Sequence, residues 1–523
     1  MTAEIGWSGP LTGGEVTDEV TAQAVCGVMH VHGRSRGEPS GMGIDYASTA
    51  AKVLAGTGVL AALLTRARGG SVEVVRTSVA QAALLTVSQY LAAASAGDGE
   101  VVPLTPGGPP FASSDGAWFE LDTLDPDVWR EFWVAAGAPV KLAGAAWRPF
   151  QFRYATATAA LPPALHDRTA ALTFAELSTI AARTGISICR LTTLRQRAKE
   201  LEAGVADPWQ VLALSGRYTS PVPAEHSLPL AGMVVLEAGR RVQAPLAAHL
   251  LSLLGARVVR IEPPGGDPLR GMPPMRGDTS ARWLALNRHK QAVQVDIKDP
   301  AGRDELRDLV SGADVFLHNW APGKAERLDL GAHDLAAVRP GLVYAYTSGY
   351  ADRIQDPPLG TDFMVQARTG LGEAIRPADQ PPAPSLMALV DVLGGLLGAH
   401  AILGALLRRE RTGQGCQVES SLLAASDLLL ADVIGAGRAR PPAGFRTPLR
   451  TADGWCTSPD TRFAGKVRDL STVDAVALLA GHGLHSAPVT DDLAALPGDS
   501  RFAAAIQPDG NGCPAVLSPW SFA

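Results

Sequence analysis

The sequence predicts an α/β fold: a doubly wound, mostly parallel sheet with a smaller α+β domain, in two diverged copies. Two observations lead to this expectation. Strand-like and helix-like segments alternate between residues 228 and 348, and motifs from the first 185 residues recur in the same order in the second half of the chain. At 523 residues, 46% of them apolar, the chain exceeds what one hydrophobic core usually organises and can bury more than one.

The alternating region consists of short apolar runs separated by longer amphipathic ones. Strands of this kind, joined by helix-length segments, predict a parallel sheet that binds ligands at the carboxyl ends of its strands. The predicted strands are GMVVLEA, ARVVRIE, QAVQVDI, DVFLH and LVYAYTS, and the predicted helices are QAPLAAHLLSLLG, DPAGRDELRDLVSGA and GAHDLAAVRPG.

An internal repeat divides the chain. Three motif pairs are 338 to 343 residues apart, whereas a fourth is only 298 apart, so the second copy has lost about forty residues in what is predicted to be an accessory domain. The pairs are EVTAQAVCG (19–27) with DFMVQARTG (362–370), GVLAALLTRARGG (58–70) with AILGALLRRERTGQG (401–415), SSDGAWF (113–119) with TADGWCT (451–457), and ELSTIAARTG (176–185) with DAVALLAGHG (474–483).

The two copies have lost different parts. Copy one begins at GWSGP, with nothing ahead of it that matches residues 228–347, and the Pro-rich segment 216–232 is the predicted junction. The predicted domains are a truncated copy one (1–225) with its small domain at about 101–200, and copy two (226–523) with its complete sheet domain at about 228–430 and a shortened small domain at about 440–523.

Composition indicates which class of partner and which cellular compartment to expect. A net charge of -6 argues against nucleic acid and anionic membranes, so a small molecule is the expected partner. Five widely spaced cysteines without a CxxC pair, and an N-terminus without signal-peptide features, fit a cytoplasmic protein. Residues 386–407 reach membrane-spanning length, but Asp391 and His400 interrupt them, which favours a buried helix.

Basic side chains follow the predicted strands. No GxGxxG or GxxxxGK[ST] motif occurs at the first turn, which argues against a dinucleotide or Walker-type phosphate loop. Any one of these cations is more often a solvated surface charge, but a group at strand ends can bind a phosphorylated ligand. The group comprises Arg270, Arg288, His289, Lys290, Lys324 and Arg327.

With these motifs the chain resembles a known family, the class III CoA-transferases, which also includes the α-methylacyl-CoA racemases. The resemblance runs through residues 228 to about 430 and is weaker in copy one. The motifs that carry it are LPLAGMVVLEAGRRVQAPLAAHLLSLLGARVVRIEPPGGDPLRG, LNRHKQAVQVDIKDPAGRDEL, VFLHNWAPGKAERLDLG, GLVYAYTSGY and GTDFMVQARTG.

The resemblance implies roles for individual residues. Asp362 falls on the family's catalytic aspartate, which would attack an acyl-CoA thioester and pass through mixed-anhydride and aspartyl-CoA intermediates. CoA would be a substrate, with no permanently bound cofactor. The implied binding residues are Val242, Gln243 and Ala244 along CoA, Lys290, Asn319 and Arg327 at the nucleotide and its phosphates, and Ser348 and Gly349 on the substrate side.

Local sequence alone leaves Asp362 ambiguous. A Gly-Thr-Asp before an apolar helix is also an ordinary N-terminal cap, and both roles are compatible. In copy one Glu19 takes the equivalent place, without a CoA-binding sheet before it, and we expect Glu19 to be inactive.

The resemblance also implies an arrangement. Family members are interlocked homodimers in which the small domain of one subunit covers the CoA-binding domain of the other. Here the two copies are fused, which predicts an intrachain pseudo-dimer with one active site, in which Gly107 and Gly108 close over Asp362. Whether such chains act as pseudo-dimeric monomers or associate as homodimers stays open.

Two other functions stay open. The racemase branch places a His before the aspartate, where this chain has Thr361, so racemisation of a 2-methylacyl-CoA is the second hypothesis. A catalytically inactive acyl-CoA-binding protein is the third. His30 and His32 form an HVH motif, but no further ligand is spaced nearby, so no metal site is expected.

Overall fold

The main sheet has seven strands and carries the predicted parallel topology. The computed structural model describes residues 1–96, 107–202, 204, 207–217, 228–437 and 440–523. Six strands run parallel, and the seventh is antiparallel at one edge. In spatial order they are Gln291–Gln294, Arg257–Glu262, Val234–Ala238, Val315–His318, Val343–Ser348, Gln414–Ser421 and Trp209–Arg217.

Each predicted strand and helix of the alternating region forms. The inner strands are buried on both faces, as their continuous apolar runs indicate, and helices cover them. The helices of this region are Gln243–Leu253, Ala281–Asn287, Pro300–Ser311, Lys324–Arg327 and Ala332–Val338.

Helix Leu389–Thr412, here called the central helix, runs through the core. It packs on Gln243–Leu253, on the sheet and on helix Tyr46–Ala67 of copy one. Both it and Tyr46–Ala67 are long and apolar enough to cross a membrane, and 83% and 61% of their apolar windows, respectively, are buried inside the protein. The prediction of a buried helix in this segment is confirmed.

The two copies share one arrangement of helices. Glu19 and Asp362, Tyr46 and Leu389, and Val79 and Leu422 begin equivalent helices, and each pair is 343 residues apart. In copy one the helices are Glu19–Val25, Val28–Gly33, Tyr46–Ala67, Val79–Thr86 and Ser88–Ala94, and in copy two they are Asp362–Thr369, Leu371–Ala374, Leu389–Thr412 and Leu422–Gly435.

Copy one begins one strand earlier than the repeat indicated. Thr2–Gly6 pairs in parallel with Val74–Ser78, as Val343–Ser348 pairs with Gln414–Ser421. The expectation that nothing before GWSGP matches copy two is therefore wrong. A five-residue strand without an apolar pattern was too short to detect by sequence comparison.

Each copy completes the other's sheet. Trp209–Arg217, at the end of copy one, pairs antiparallel with Gln414–Ser421 of copy two. Conversely, Ser521–Phe522 at the end of copy two pairs antiparallel with Val74–Ser78 of copy one. The predicted junction at 216–232 and boundary at 225/226 lie largely outside the described residues.

Each copy also contains a small domain. That of copy one has a three-stranded antiparallel sheet, and its counterpart in copy two keeps shorter strands. The first contains strands Phe111–Ala112, Trp118–Asp122 and Ser187–Arg190 with helices Pro126–Ala135, Val140–Gln151, Arg153–Thr156, Pro163–Ala170, Phe174–Thr184 and Leu194–Leu201, and the second contains strands Leu449–Arg450, Trp455–Cys456, Ile506–Pro508 and Pro514–Val516 with helices Ala464–Val467 and Thr472–Gly481. All five cysteines are free and buried.

Candidate active site at the interface of the two copies

Asp362 is the first residue of helix Asp362–Thr369, here called the nucleophile helix, and its side chain is 3% exposed. It does not cap this helix, because Thr361 is the capping residue. Its carboxylate instead accepts a hydrogen bond from the backbone N–H of Asp391, at 2.8 Å, in the first turn of the central helix. The side chain therefore caps a different helix, where the dipole favours negative charge.

The carboxylate of Asp362 has a second donor on its own helix. Gln366 Nε2 donates to Asp362 Oδ1 at 2.5 Å. Burial, and secondarily the Asp391 carboxylate, raise the pKa of Asp362 well above its ordinary value, and the hydrogen bonds from Asp391 and Gln366 oppose this rise. A buried carboxylate with a raised pKa and convergent donors is typical of an active site.

Two glycines set the position of Asp362. Gly349 follows a strand of the main sheet, and Gly360 lies two residues before Asp362. A Cβ atom on Gly349 would lie 2.5 Å from the Cα of Gly360, so any side chain there would push the segments apart. Ser348 is buried, and its Oγ accepts a hydrogen bond from the backbone of Ala351 at 2.9 Å, which fixes the turn.

The small domain of copy one forms one wall of the site. Thr361 donates a hydrogen bond to Asp122, which is paired with Arg153 at 3.2 Å. The Arg153 guanidinium also lies 4.5 Å from the ring centroid of Phe363 on the nucleophile helix. The start of the nucleophile helix is therefore held by buried groups from the other copy.

Further groups of both copies lie near the carboxylates of Asp362 and Asp391. Arg241, in the left-handed region at φ 62°, stacks over the ring of Tyr154 at 5.0 Å, and its charge opposes the rise in the pKa of Asp391. Burial raises the pKa of Asp391 to about 6. Tyr46 and Tyr90 of copy one are buried and lie within electrostatic range of Asp362.

A basic cluster lies at the carboxyl ends of three strands. Partial burial, and then the charges of Arg240, Lys298 and Arg327, lower the pKa of Lys324. Asn319 joins two strand ends, since its side chain accepts from the backbone N–H of Arg240 at 2.9 Å and donates to the Arg240 carbonyl at 3.0 Å. The cluster is suited to a phosphorylated ligand.

Two other predicted binding residues, Lys290 and Arg270, already have partners within the protein. The ammonium of Lys290 donates to Glu237, the Pro245 carbonyl and Asn287 at 2.8 to 3.0 Å, so a bond to a phosphate would require one of these to break. Arg270 pairs with Glu262 at 2.8 Å and stacks on Trp283. Both cations are thus paired with glutamates on strands of the main sheet. Val242, Gln243 and Ala244 are buried as well, and their predicted place along CoA stays a prediction.

The equivalent site of copy one holds Glu19 in the same arrangement of helices but surrounds it with different groups. Glu19 begins its helix, accepts from Gln23 at 2.8 Å, and caps helix Tyr46–Ala67 through the N–H groups of Ala47 and Ser48 at 2.9 and 2.8 Å. The Ser48 hydroxyl adds a fourth donor at 2.6 Å. Ser48 occupies the position that Asp391 has in copy two, so a donor replaces a repelling carboxylate.

Arg446, from the small domain of copy two, lies near Glu19 and binds the segment around residues 42–45. It donates to the carbonyls of Met42 and Ile44 at 2.9 and 2.8 Å, pairs with Asp45, and opposes the burial-driven rise in the pKa of Glu19. In the repeat, Arg446 falls on the position of Gly108.

Gly108 itself is buried, and a Cβ on it would lie 2.6 Å from the carbonyl oxygen of Ala159. Gly107 is exposed beside it. These glycines belong to the segment TPGGPPF (105–111), whose residues 105–106 lie outside the described residues, and its closing over Asp362 stays a prediction.

The HVH motif has a structural setting. His32 is buried with its Nδ1 2.8 Å from Ser385 Oγ, and His30 lies beside Arg34. Within the part of the chain that the structure describes, no group of three or more His, Cys, Asp or Glu side chains is placed to hold a metal ion.

Several site residues were not predicted. Gln366 and Gln23 stand at the same place in the quoted repeat, and that identity was the available signal. Asp391 was noted only as an interruption of an apolar run. Asp122, Arg153 and the tyrosines come from copy one, and no local pattern connects them with a site more than two hundred residues away.

Comparison with known proteins identifies the family. A family model described as CoA-transferase family III matches residues 6–213 and 230–456. The chain belongs to CoA-transferase family III. The two matched stretches correspond to copy one and copy two, in agreement with a duplicated family III protein.

Characterised relatives share part of this family III chain. Succinyl-CoA:glutarate CoA-transferase of Mus musculus is 35% identical over 211 residues, which cover 39% of this chain and 48% of that protein. Acetyl-CoA:oxalate CoA-transferase of Acetobacter aceti is 35% identical over 210 residues, covering 39% and 53%. The chain thus spans about half the length of these relatives.

A solved structure supports the fold. A CAIB/BAIF family protein from Brucella suis is 25% identical with a TM-score of 0.50, and the match covers 56% of this chain and 92% of that one. Nearly all of the single-chain neighbour is accounted for by about half of the present chain, as expected if this chain contains two copies.

Proposed function

We propose that this family III protein transfers CoA between carboxylic acids, with Asp362 as the covalent nucleophile and one active site per chain. Acyl-CoA and a free carboxylic acid are the substrates. The observation that carries the proposal is the setting of Asp362, a buried carboxylate at the N-terminus of the central helix, with groups of the small domain of copy one holding the start of its own helix.

The proposed reaction conserves the thioester bond. The Asp362 carboxylate attacks the acyl carbon, the C–S bond breaks, and CoA thiolate leaves a mixed anhydride. The thiolate attacks the Asp362 carbonyl, which releases the donor acid and forms an aspartyl-CoA thioester. The acceptor carboxylate displaces the thiolate to give a second anhydride, and the thiolate then attacks the acceptor's acyl carbon, releasing Asp362 and the new acyl-CoA.

The surroundings of Asp362 support this chemistry. The first turn of the central helix presents backbone N–H groups and the positive end of its dipole, which stabilise oxyanions formed at the Asp362 carboxyl. The cations Arg240, Lys298, Lys324 and Arg327 are placed to hold the phosphates of CoA. The carboxylate of Asp391 raises the pKa of Asp362, which makes the anion more nucleophilic but lowers the fraction of Asp362 that is ionised at acidic pH.

The test is intact-protein mass spectrometry after incubation with a panel of acyl-CoAs. We expect a CoA-sized covalent adduct on the wild type and on Glu19→Ala, and none on Asp362→Ala. Peptide mapping should place the adduct on the segment containing Asp362. An adduct that persists in Asp362→Ala would refute the proposed nucleophile.

Two further assays separate the alternatives. A transferase exchanges CoA between an acyl-CoA and a labelled free acid, whereas a racemase incorporates solvent deuterium at the α-carbon of its acyl-CoA. We expect exchange and no deuterium incorporation. An acyl-CoA-binding protein without activity would bind CoA and do neither.

A further inference from the structure

A chain of hydrogen bonds leads from Asp362 to copy one. Gln366 Nε2 donates to the Asp362 carboxylate and also to the carbonyl of Ser385, at 3.0 Å. The backbone N–H of Ser385 donates to Gln366 Oε1 at 2.8 Å. Ser385 Oγ in turn lies 2.8 Å from Nδ1 of His32.

The two backbone bonds of Ser385 fix the orientation of the Gln366 amide. An N–H requires the amide oxygen, and a carbonyl requires the amide nitrogen, so the amide can satisfy both in only one orientation. That orientation directs the second hydrogen of Nε2 at Asp362. A displaced Ser385 would free the amide to rotate and present its oxygen to the carboxylate.

Ser385 lies in a segment that needs external anchoring. Residues 375–388 form no helix or strand, although Ser385 is fully buried. Its Oγ accepts from the backbone N–H of Met387 at 3.3 Å, and its shorter contact is with His32, which is 1% exposed at the end of helix Val28–Gly33 of copy one. Burial and the neighbouring Arg376 and Arg36 lower the pKa of His32 well below its ordinary value, so the ring is neutral at pH 7.

The corresponding contact, with the roles of the two copies exchanged, lacks a polar pair like His32 and Ser385. In the repeat, Ser385 corresponds to Met42 and His32 corresponds to Ile375. The mirror contact is present, since the N–H of Gly43 donates to the Ile375 carbonyl at 3.1 Å, but both side chains there are apolar. On that side Arg446 holds the carbonyls of Met42 and Ile44 instead.

We infer that His32 of copy one is a positioning residue for the Asp362 nucleophile, acting through Ser385 and the Gln366 amide. The inference deepens the proposed function and rests on it for the catalytic consequence. It gives the eroded copy a specific task, because the polar pair occurs only on the side whose carboxylate is proposed to react.

Four variants separate positioning from packing. His32→Leu removes the bond to Ser385, whereas His32→Asn retains a polar atom close to the position of Nδ1. Ser385→Ala removes the same bond from its other end and serves if His32→Leu does not fold. Met42→Leu changes the mirror position by a volume-conserving apolar swap and is the packing control.

The first readout is the titration of Asp362, followed by ¹³C NMR of labelled aspartate and assigned with Asp362→Asn. The titratable groups around Asp362 are Asp391 on the central helix and Tyr46 and Tyr90 of copy one, and all variants leave them unchanged. Loss of the Gln366 donor should raise the pKa of Asp362 by about one unit in His32→Leu and Ser385→Ala. His32→Asn and Met42→Leu should titrate like the wild type.

The second readout is the rate of covalent adduct formation. At pH values below the pKa of Asp362, we expect His32→Leu to slow it about tenfold with KM for acyl-CoA unchanged, because less of the carboxylate is ionised, and His32→Asn to restore most of the rate. An unchanged titration in His32→Leu and Ser385→Ala, or a His32→Asn variant as impaired as His32→Leu, would overturn the inference. A wild type that forms no adduct would refute the proposed function, while the titration would still decide the role of His32.

Discussion

Asp362 and Glu19 occupy the same frame with different neighbours. Each begins a short helix, accepts a hydrogen bond from a glutamine four residues on, and caps a long buried helix of its own copy. Asp362 has the Asp391 carboxylate beside it, whereas Glu19 has the Ser48 hydroxyl and the Arg446 charge. The two carboxylates therefore share their hydrogen-bonding frame and differ in the charge of the groups beside them.

The second difference lies in what each copy places around the site. Copy two precedes Asp362 with the main sheet and its basic cluster, whereas the described part of copy one contributes two parallel strands to its own sheet. The described part of the small domain of copy one forms one wall of the copy-two site.

The largest expected effect comes from removing each carboxylate in turn. Asp362→Ala should lower the transfer rate by at least about 1,000-fold, because it removes the nucleophile. Glu19→Ala should leave the rate nearly unchanged and lower the free energy of unfolding by about 2 kcal/mol, since buried N–H groups lose their acceptor. Steady-state exchange assays and urea unfolding measure the two effects, and a comparable loss of activity in both variants would contradict the account.

The next largest effect concerns the glycine pair. Gly349→Ala should reduce kcat about 100-fold, because its Cβ would collide with Gly360 and displace Asp362 from the substrate. In copy one the corresponding turn follows Gly6 with Trp7, so the eroded site no longer preserves this close approach. A thermal melt should confirm that Gly349→Ala remains folded, and a folded variant with wild-type kcat would show that the approach is unimportant.

The pH dependence tests the role of Asp391. Its carboxylate raises the pKa of Asp362, so Asp391→Asn should lower that pKa, and the acid limb of the kcat profile should move by about one unit to lower pH. Activity that the wild type loses at acidic pH would thus be retained in the variant. Ser48→Ala, at the mirror position, is the control and should leave the profile in place, whereas an acid limb shifted to higher pH in Asp391→Asn would contradict the assignment.

The smallest effect on activity is expected at Arg446. Arg446→Ala should lower the free energy of unfolding by about 1 to 3 kcal/mol, because the carbonyls of Met42 and Ile44 lose a charged donor. Its kcat should stay within about twofold of the wild type, since Arg446 bonds only to the copy-one frame. Appearance of a second covalent adduct, on Glu19, would show that Arg446 alone keeps that site inactive.

The sequence predicted the periodic features of the molecule and missed those that depend on contacts between copies. The parallel sheet followed from alternating apolar runs, and the buried central helix from Asp391 and His400 within an apolar stretch. The strand exchange was not predictable, because Trp209–Arg217 and Ser521–Phe522 pair with partners far away in sequence.

The same limit applies to the site. Asp362 was identified because a long ordered set of motifs surrounds it, and the basic group at strand ends was recognised from its position. The roles of Lys290 and Arg270 in binding a phosphorylated ligand stay predictions, and the sequence does not reveal that Glu237 and Glu262 accept from these cations. The wall formed by Asp122 and Arg153 depends entirely on tertiary packing.

The central claim is that one chain contains one active site. Isothermal titration of the purified protein with CoA tests it most directly, with Asp362→Asn measured alongside to separate binding from turnover. The account predicts a stoichiometry of one CoA per chain in both proteins. A stoichiometry of two would mean that copy one also binds CoA and would contradict the account.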